Sequence, residues 1–206
     1  MTTDARVPGQ DGLERLGAAL RDAVARLETT PALDRPAAAA RGRAAPLLGE
    51  PRVAALLRGA PIGHAAHPLL TDLPIGLWVS STALDLLAPV AGHRAADRLL
   101  GMGVLAVAPT ALTGLVDWAT TEVRDPAVRR GGVAHAALNV VATTLYGTSW
   151  LLRRRGRRTA GVAVALVAGS VLGASGYLGG HMTVVRHAPH SDPVEPESSG
   201  AERLAG

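Results

Sequence analysis

The side chains with chemistry to offer are imidazoles and a few acids. His64 and His67 stand three apart in GHAAHPLLTDLPIGLW (63–78), and Asp72 follows the second by five residues. Asp117 precedes Trp118 in PTALTGLVDW, His135 opens HAALN, and His181 lies in GYLGGHM. Neutral imidazole is an axial ligand for haem iron, and helical bundles hold cofactors between facing helices. Two histidines from different segments, His67 with His135 or His181, could clamp a b-type haem. Histidine with aspartate, drawn from His64, His67, Asp72, His135 and His181, could instead hold a divalent metal ion. A third chemistry is a proton relay or quinone pocket. The plainest role is a hydrogen-bonded network that fixes helix ends. In that role Asp72, two residues before Pro74, would cap a helix, and His181 would sit at headgroup level. The patterns HExxH, CxxCH and GxSxG are absent, and no glycine-rich phosphate loop follows a strand.

Four apolar segments must position these groups. Thr159 to Val185 and Gly131 to Leu152 contain no Asp, Glu, Lys or Arg, and Leu99 to Val116 is equally apolar. Pro68 to Val90 is interrupted by Asp72 and Asp85, which should face other helices because an ionised group in lipid is costly. Each segment matches the roughly 17–25 residues that cross a hydrocarbon core. The links (91–98, 117–130 and 153–158) are short, so neighbouring spans run antiparallel and the expected fold is all-α, an up-down four-helix transmembrane bundle. Pro109 should kink the second span. Gly169, Gly173, Gly176 and Gly180 form a row of small residues read as ordinary helix packing. No internal repeat is evident.

This threading gathers the polar groups. The start of span one, the end of two, the start of three and the end of four share one membrane face, which collects His64, His67, Asp117, Trp118, His135 and His181, with His187 and His190 beyond. Only His93 belongs to the opposite face. Within the spans, His135, Asn139 and Thr143 form one stripe and Thr110, Thr113 and Asp117 another, both expected to turn inward. If its stretch is already helical, His64 shares a face with His67 and Thr71.

Outside the spans, Leu13, Leu16, Leu20, Val24 and Leu27 have helical spacing in a polar background, and Pro31 and Pro36 end that helix. After an Ala/Arg stretch, a short helix is expected over Arg52–Leu57. Such helices either pack on their own domain or lie on the bilayer surface. The expected organisation is an amphipathic helical extension over 1–60, a four-span membrane domain over 61–188 and a disordered tail over 189–206, rich in Pro, Ser and Glu. No apolar run in the first 30 residues has the length of a cleavable signal peptide.

Composition narrows the function classes. Hydrophobic residues are 48% of the chain, yet aromatics are 2% and Phe is absent, so Ala, Val, Leu and Gly carry the apolar content as in close-packed membrane helices. The net charge of +4 is carried by arginine without lysine. Five arginines crowd into 153–158 between two apolar segments, a membrane-flanking loop with no aromatic interleaving to stack bases, so nucleic acid is not an expected partner. The absence of cysteine excludes disulfides, thiolate zinc sites and cysteine-held iron–sulfur clusters within the chain.

The run LRGAPIGHAAHPLLTDLPIGLW (57–78), together with PTALTGLVDW, HAALN and GYLGGHM in that order, resembles a family of bacterial four-span membrane proteins of unassigned function. The resemblance covers about 57–187. It implies membrane electron transfer by association, because members with a helical N-terminal stretch are often joined to a Rieske-type iron–sulfur domain. That domain is absent here, so such a partner would be a separate protein. Some members carry His at the position of Asp72, which suits a metal ligand or proton carrier. The matching positions are His64, His67, Asp72, Asp117, His135 and His181.

The expectation is therefore a multi-pass cell-membrane protein, a redox or cofactor-binding subunit. His67, His135 and His181 are the candidate ligands of a haem b, and His64, His67, Asp72, His135 and His181 those of a metal. Asp117, Asn139 and Thr113 support them, and His64, Asp72 and Asp117 are candidate proton carriers. Expected partners are the lipid bilayer, a separate Rieske-type or other redox protein, and further copies of the chain. The competing class is a non-catalytic anchor or assembly protein whose N-terminal helices hold a partner.

Overall fold

The computed structural model of the chain describes residues 10–88 and 90–188. The tail and His190 lie outside the described residues. Those residues form seven α-helices and no strand: α1 (Gln10–Glu28), α2 (Asp34–Leu48), α3 (Pro51–Arg58), α4 (Ala66–Leu87), α5 (His93–Thr121), α6 (Pro126–Arg154) and α7 (Arg158–Val184). The all-α expectation holds. By length and composition, α5 and α7 are apolar enough to cross a membrane.

The long helices α4–α7 pack in a ring, α4 against α5, α5 against α6, α6 against α7, and α7 back against α4. Their inward positions follow a spacing of alternating three and four residues, the seam of a bundle. On α4 the seam includes the buried Pro74, Trp78, Ser81 and Asp85; on α6 it includes Ala142, Tyr146, Ser149 and Arg153. Adding 68 to each α4 number gives the α6 number. Adding 65 to Ala96, Leu100, Gly103, Thr110 and Thr113 of α5 gives Gly161, Ala165, Ala168, Ser175 and Leu178, all buried on α7. The hairpins α4–α5 and α6–α7 are thus built alike, and the expectation of no internal repeat is corrected.

The bonds repeat with the residues. Ser81 Oγ donates to the carbonyl of Ala96 at 2.8 Å, and Ser149 Oγ donates to that of Gly161 at 2.7 Å. Matched side chains meet across the bundle. The rings of Trp78 and Tyr146 stack with centroids 4.1 Å apart. Asp85 and Arg153 pair at 2.6 Å with both side chains essentially buried. Gly103 permits the tryptophan's approach, since a Cβ there would lie 2.4 Å from Trp78 Nε1.

The other three helices fold over the end of the bundle where α4 begins. α1 packs on α6, α2 on α5 and α6, and α3 on α5. The Ala/Arg stretch left unassigned in sequence is α2. Pro36 falls in its first turn, where a missing N–H costs no helical bond. Ala37 and Ala44 are buried on one face of α2, and Arg41 of the same face pairs with Glu122. Arg130 holds both oxygens of Asp34 at 2.9 Å, and its guanidinium keeps that carboxyl below the usual aspartate range. Arg186 holds Glu28 at 2.5 and 3.0 Å. Gly59 ends α3 at φ +85°, where a Cβ would strike the carbonyl oxygen of His64, just before α4.

α5 is one helix that includes Pro109. One further expectation changes. Among the four glycines of the α7 row, Gly173, Gly176 and Gly180 face open space, so the row is not the internal packing face; Gly161, Ala165, Ala168 and Ser175 are.

Candidate functional site

His67 lies in the first turn of α4, and its Nδ1–H donates to the carbonyl of Thr110 on α5 at 3.0 Å. His135 is its counterpart on α6, and its Nδ1–H donates to the carbonyl of Ser175 on α7 at 2.9 Å. Thr110 and Ser175 are counterparts too. A carbonyl can only accept, so in both rings Nδ1 carries the proton and Nε2 presents a lone pair. Each ring rests on a matched glycine: a Cβ on Gly114 would come within 2.7 Å of the His67 ring, and one on Gly179 within 3.0 Å of the His135 ring. The two rings stand at matched positions of α4 and α6.

Their Nε2 atoms differ. Asn139, one turn along α6, donates its amide to His135 Nε2 at 2.9 Å. At the counterpart of Asn139 on α4, the Thr71 hydroxyl bonds back to the carbonyl of His67, and no described group bonds His67 Nε2. Asp117 is buried on α5. Its Oδ2 is buried without a hydrogen-bond partner, as is Oε2 of the fully buried Glu122. At this end of the bundle the buried unpartnered atoms are thus these two acceptors and one donor, Arg129 Nε. Thr113 is satisfied locally by the carbonyls of Pro109 and Thr110. Thr143 stays half-buried, because the seam passes from Asn139 to Ala142.

The remaining candidates are placed elsewhere. His181 Nε2 pairs with Glu28 of α1 at 3.1 Å, six residues and about 9 Å of helix rise beyond Ser175. It joins Arg186 in holding the N-terminal helices down. His64 precedes α4, is exposed, and bonds the carbonyl of its neighbour Ala65, so it shares no helical face with His67 and Thr71. Asp72 is exposed in the body of α4, not at its start, so it is no cap; five residues from His67, it is turned about 140° around the helix. His187 is exposed at the end of the described chain. Among the described residues, no three His, Asp or Glu side chains converge as a metal site.

At the opposite end, a second polar centre escaped the sequence reading. Arg153 and Arg158 share Asp85 and Asp97, with contacts of 2.6, 3.3, 2.5 and 2.8 Å. Arg153, expected in a flanking loop, is in the last turn of α6 and its side chain is wholly buried. The signal was available: Asp85 within an apolar segment needed a cation, and the arginine run is the nearest source at that end.

The described residues thus form an all-α bundle of two matched hairpins with polar groups at both ends, two of whose helices are long and apolar enough to cross a membrane. The family described as "Predicted membrane protein (DUF2231)" matches residues 63–193, more than half of the chain, and the chain belongs to it. The resemblance read from the separated motifs is thereby borne out. No curated protein and no solved structure matches the chain.

Proposed function

We propose that α4–α7 all cross the membrane, that the N-terminal helices close over one end, and that His67 and His135 hold a redox cofactor beneath them. Four crossings are supported by the outward faces of the two helices with more polar seams. α4 exposes Leu69, Leu73, Val79 and Leu86, and α6 exposes Val140, Val141 and Leu151. At 22 and 29 residues they are about 33 and 43 Å long, against a hydrocarbon core of about 30 Å. Asp85 and Arg153 neutralise each other inside the bundle, away from lipid. In this division the extension covers 1–60, the membrane domain 61–188 and the tail 189–206.

The observation that carries the cofactor reading is the pair of pinned imidazoles. A histidine that donates Nδ1–H to a backbone carbonyl has a fixed ring and a more basic Nε2, the condition of histidines that bind metals. A b-type haem would take Nε2 of His67 and of His135, with Asn139 turning away from the latter, and would supply one-electron transfer. The unpartnered oxygen of Asp117 favours a quinol over a bare metal ion. His67 Nε2 and Asp117 Oδ2 are both acceptors, suited to a ligand that brings hydroxyl protons. Two imidazoles and one acid suffice for a metal only where they converge, and among the described residues no three His, Asp or Glu side chains do. Electrons would pass to a separate redox protein, a Rieske-type protein among them.

The test is purification in mild detergent after haem-supplied expression, with a visible spectrum and chromatography of extracted quinones. A Soret band or stoichiometric quinone is expected in the wild type and in His181→Ala, and neither in His67→Ala or His135→Ala. A wild type that carries neither leaves a membrane anchor and ends the cofactor reading.

A further inference from the structure

A groove opens at the end of the bundle away from the histidine pair. It has a volume of about 440 Å³ and is lined by Asp85 of α4, His93 of α5, and Arg158, Thr159, Val162, Ala163 and Leu166 of α7. We propose that it binds the phosphate of an anionic phospholipid at His93, Arg158 and Thr159 and one acyl chain along Val162, Ala163 and Leu166. The inference rests on the four-span reading and is independent of any cofactor.

The polar end is rich in donors. Arg158 bonds Asp85 and Asp97 through NH2 and NH1, which leaves three of its five N–H groups free, and its side chain is partly exposed where Arg153 is wholly buried. The side chains of His93 and Thr159 bond no described residue. The apolar wall continues from them along one side of α7: from Arg158 to Leu166 is eight residues, about 12 Å of rise, and Leu166 is exposed. A free phosphate would use only the first of these features, whereas a phospholipid uses both.

Charge selects the headgroup. The network of Asp85, Asp97, Arg153 and Arg158 is neutral as a unit, yet Arg94, Arg98, Arg154, Arg155 and Arg157 surround it, all exposed. At the other end the bundle's arginines are spent on the N-terminal helices: Arg129 and Arg130 on Asp34, Arg186 on Glu28. A basic rim of five exposed guanidinium groups, that of Arg154 lying over the Trp150 ring, favours anionic over zwitterionic lipid.

The test is native mass spectrometry of the full chain in detergent, titrated with phosphatidylglycerol or phosphatidylcholine. Wild type is expected to retain one phosphatidylglycerol with a preference of about tenfold or more. Ala163→Trp, which fills the acyl path from an exposed position, and the double variant His93→Ala/Thr159→Val are each expected to lose that preference. Both leave the ion network intact, and circular dichroism identifies a variant that fails to fold, in which case the other decides. Inorganic phosphate at millimolar concentration is expected not to compete. Equal retention of phosphatidylcholine, retention by folded variants, or displacement by phosphate alone would each overturn the proposal. Correct threading of the four helices, measured separately, distinguishes failure of this site from failure of the four-span reading.

Discussion

Asp85→Asn should be the most damaging conservative change in the bundle. Asp85 is the acceptor that both buried arginine contacts share: Arg153 reaches it at 2.6 and 3.1 Å, and Arg158 at 2.5 Å. Neutralising it leaves the wholly buried Arg153 with Asp97 at 3.3 Å and the Ser149 hydroxyl at 3.2 Å. Removing one partner of a buried pair costs about 3–5 kcal/mol. Because Asp97 remains, the low end applies, about 3 kcal/mol, or about a hundredfold in the unfolding constant. Arg153→Met should cost less, about 1–2 kcal/mol, because Asp85 keeps Arg158. The double variant should cost less than Asp85→Asn alone, since it leaves no buried arginine short of a partner. The assay is reversible unfolding in mixed micelles, followed by the fluorescence of the three tryptophans, of which Trp78 stacks on Tyr146 in the core. A cost for Asp85→Asn below about 1 kcal/mol, a larger cost for Arg153→Met, or simple additivity in the double variant would refute the reasoning.

Two further outcomes follow from the packing and the cap. Gly103→Ala should destabilise by about 1–3 kcal/mol, because its Cβ meets Trp78, while Gly76→Ala, with open space around it, should be neutral or slightly stabilising; equal effects in the same unfolding assay would contradict the packing. Asp34 has a carboxyl held below its ordinary value of 3.8 by Arg130, so its contribution is full above that value and is lost as pH falls through the lowered one. Amide exchange in α2, corrected for intrinsic rates, should therefore accelerate below about pH 3.8, and Asp34→Asn should show the faster exchange already at neutral pH. An unchanged α2 in that variant would show that other contacts hold the cap.

The long helices were legible because apolar runs bounded by arginine and proline have a length set by physics. The segment 68–90 appears as Ala66–Leu87, and 131–152 lies within Pro126–Arg154. The end of the bundle at which each described histidine falls also followed from antiparallel threading. Helix phase did not. Whether Asp72 turns toward His67 depends on where α4 begins, and α4 starts at Ala66 without a side-chain cap to mark it. His181 was equally opaque, because its partner Glu28 is 153 residues away on a helix whose docking the sequence leaves open. The repeat was hidden by chemistry at its matched positions: Trp78 faces Tyr146, Thr71 answers Asn139, and Asp85 answers Arg153 with opposite charge. The offset also changes from 68 to 65 between the two helix pairs, so no single shift aligns both. α2 was missed because Pro36 read as a break, although it occupies a first turn.

Membrane threading underlies both the cofactor and lipid proposals, and the chain's lack of cysteine makes it directly measurable. Single cysteines at Ile62, Ala91, Val123 and Arg155 lie at successive ends of the four long helices, and all four positions are exposed. Labelled from one side of sealed vesicles with an impermeant maleimide, Ala91→Cys and Arg155→Cys should react together, and Ile62→Cys and Val123→Cys only from the other side. Reaction of Val123→Cys and Arg155→Cys from the same side would mean that α6 does not cross, and the account would fail.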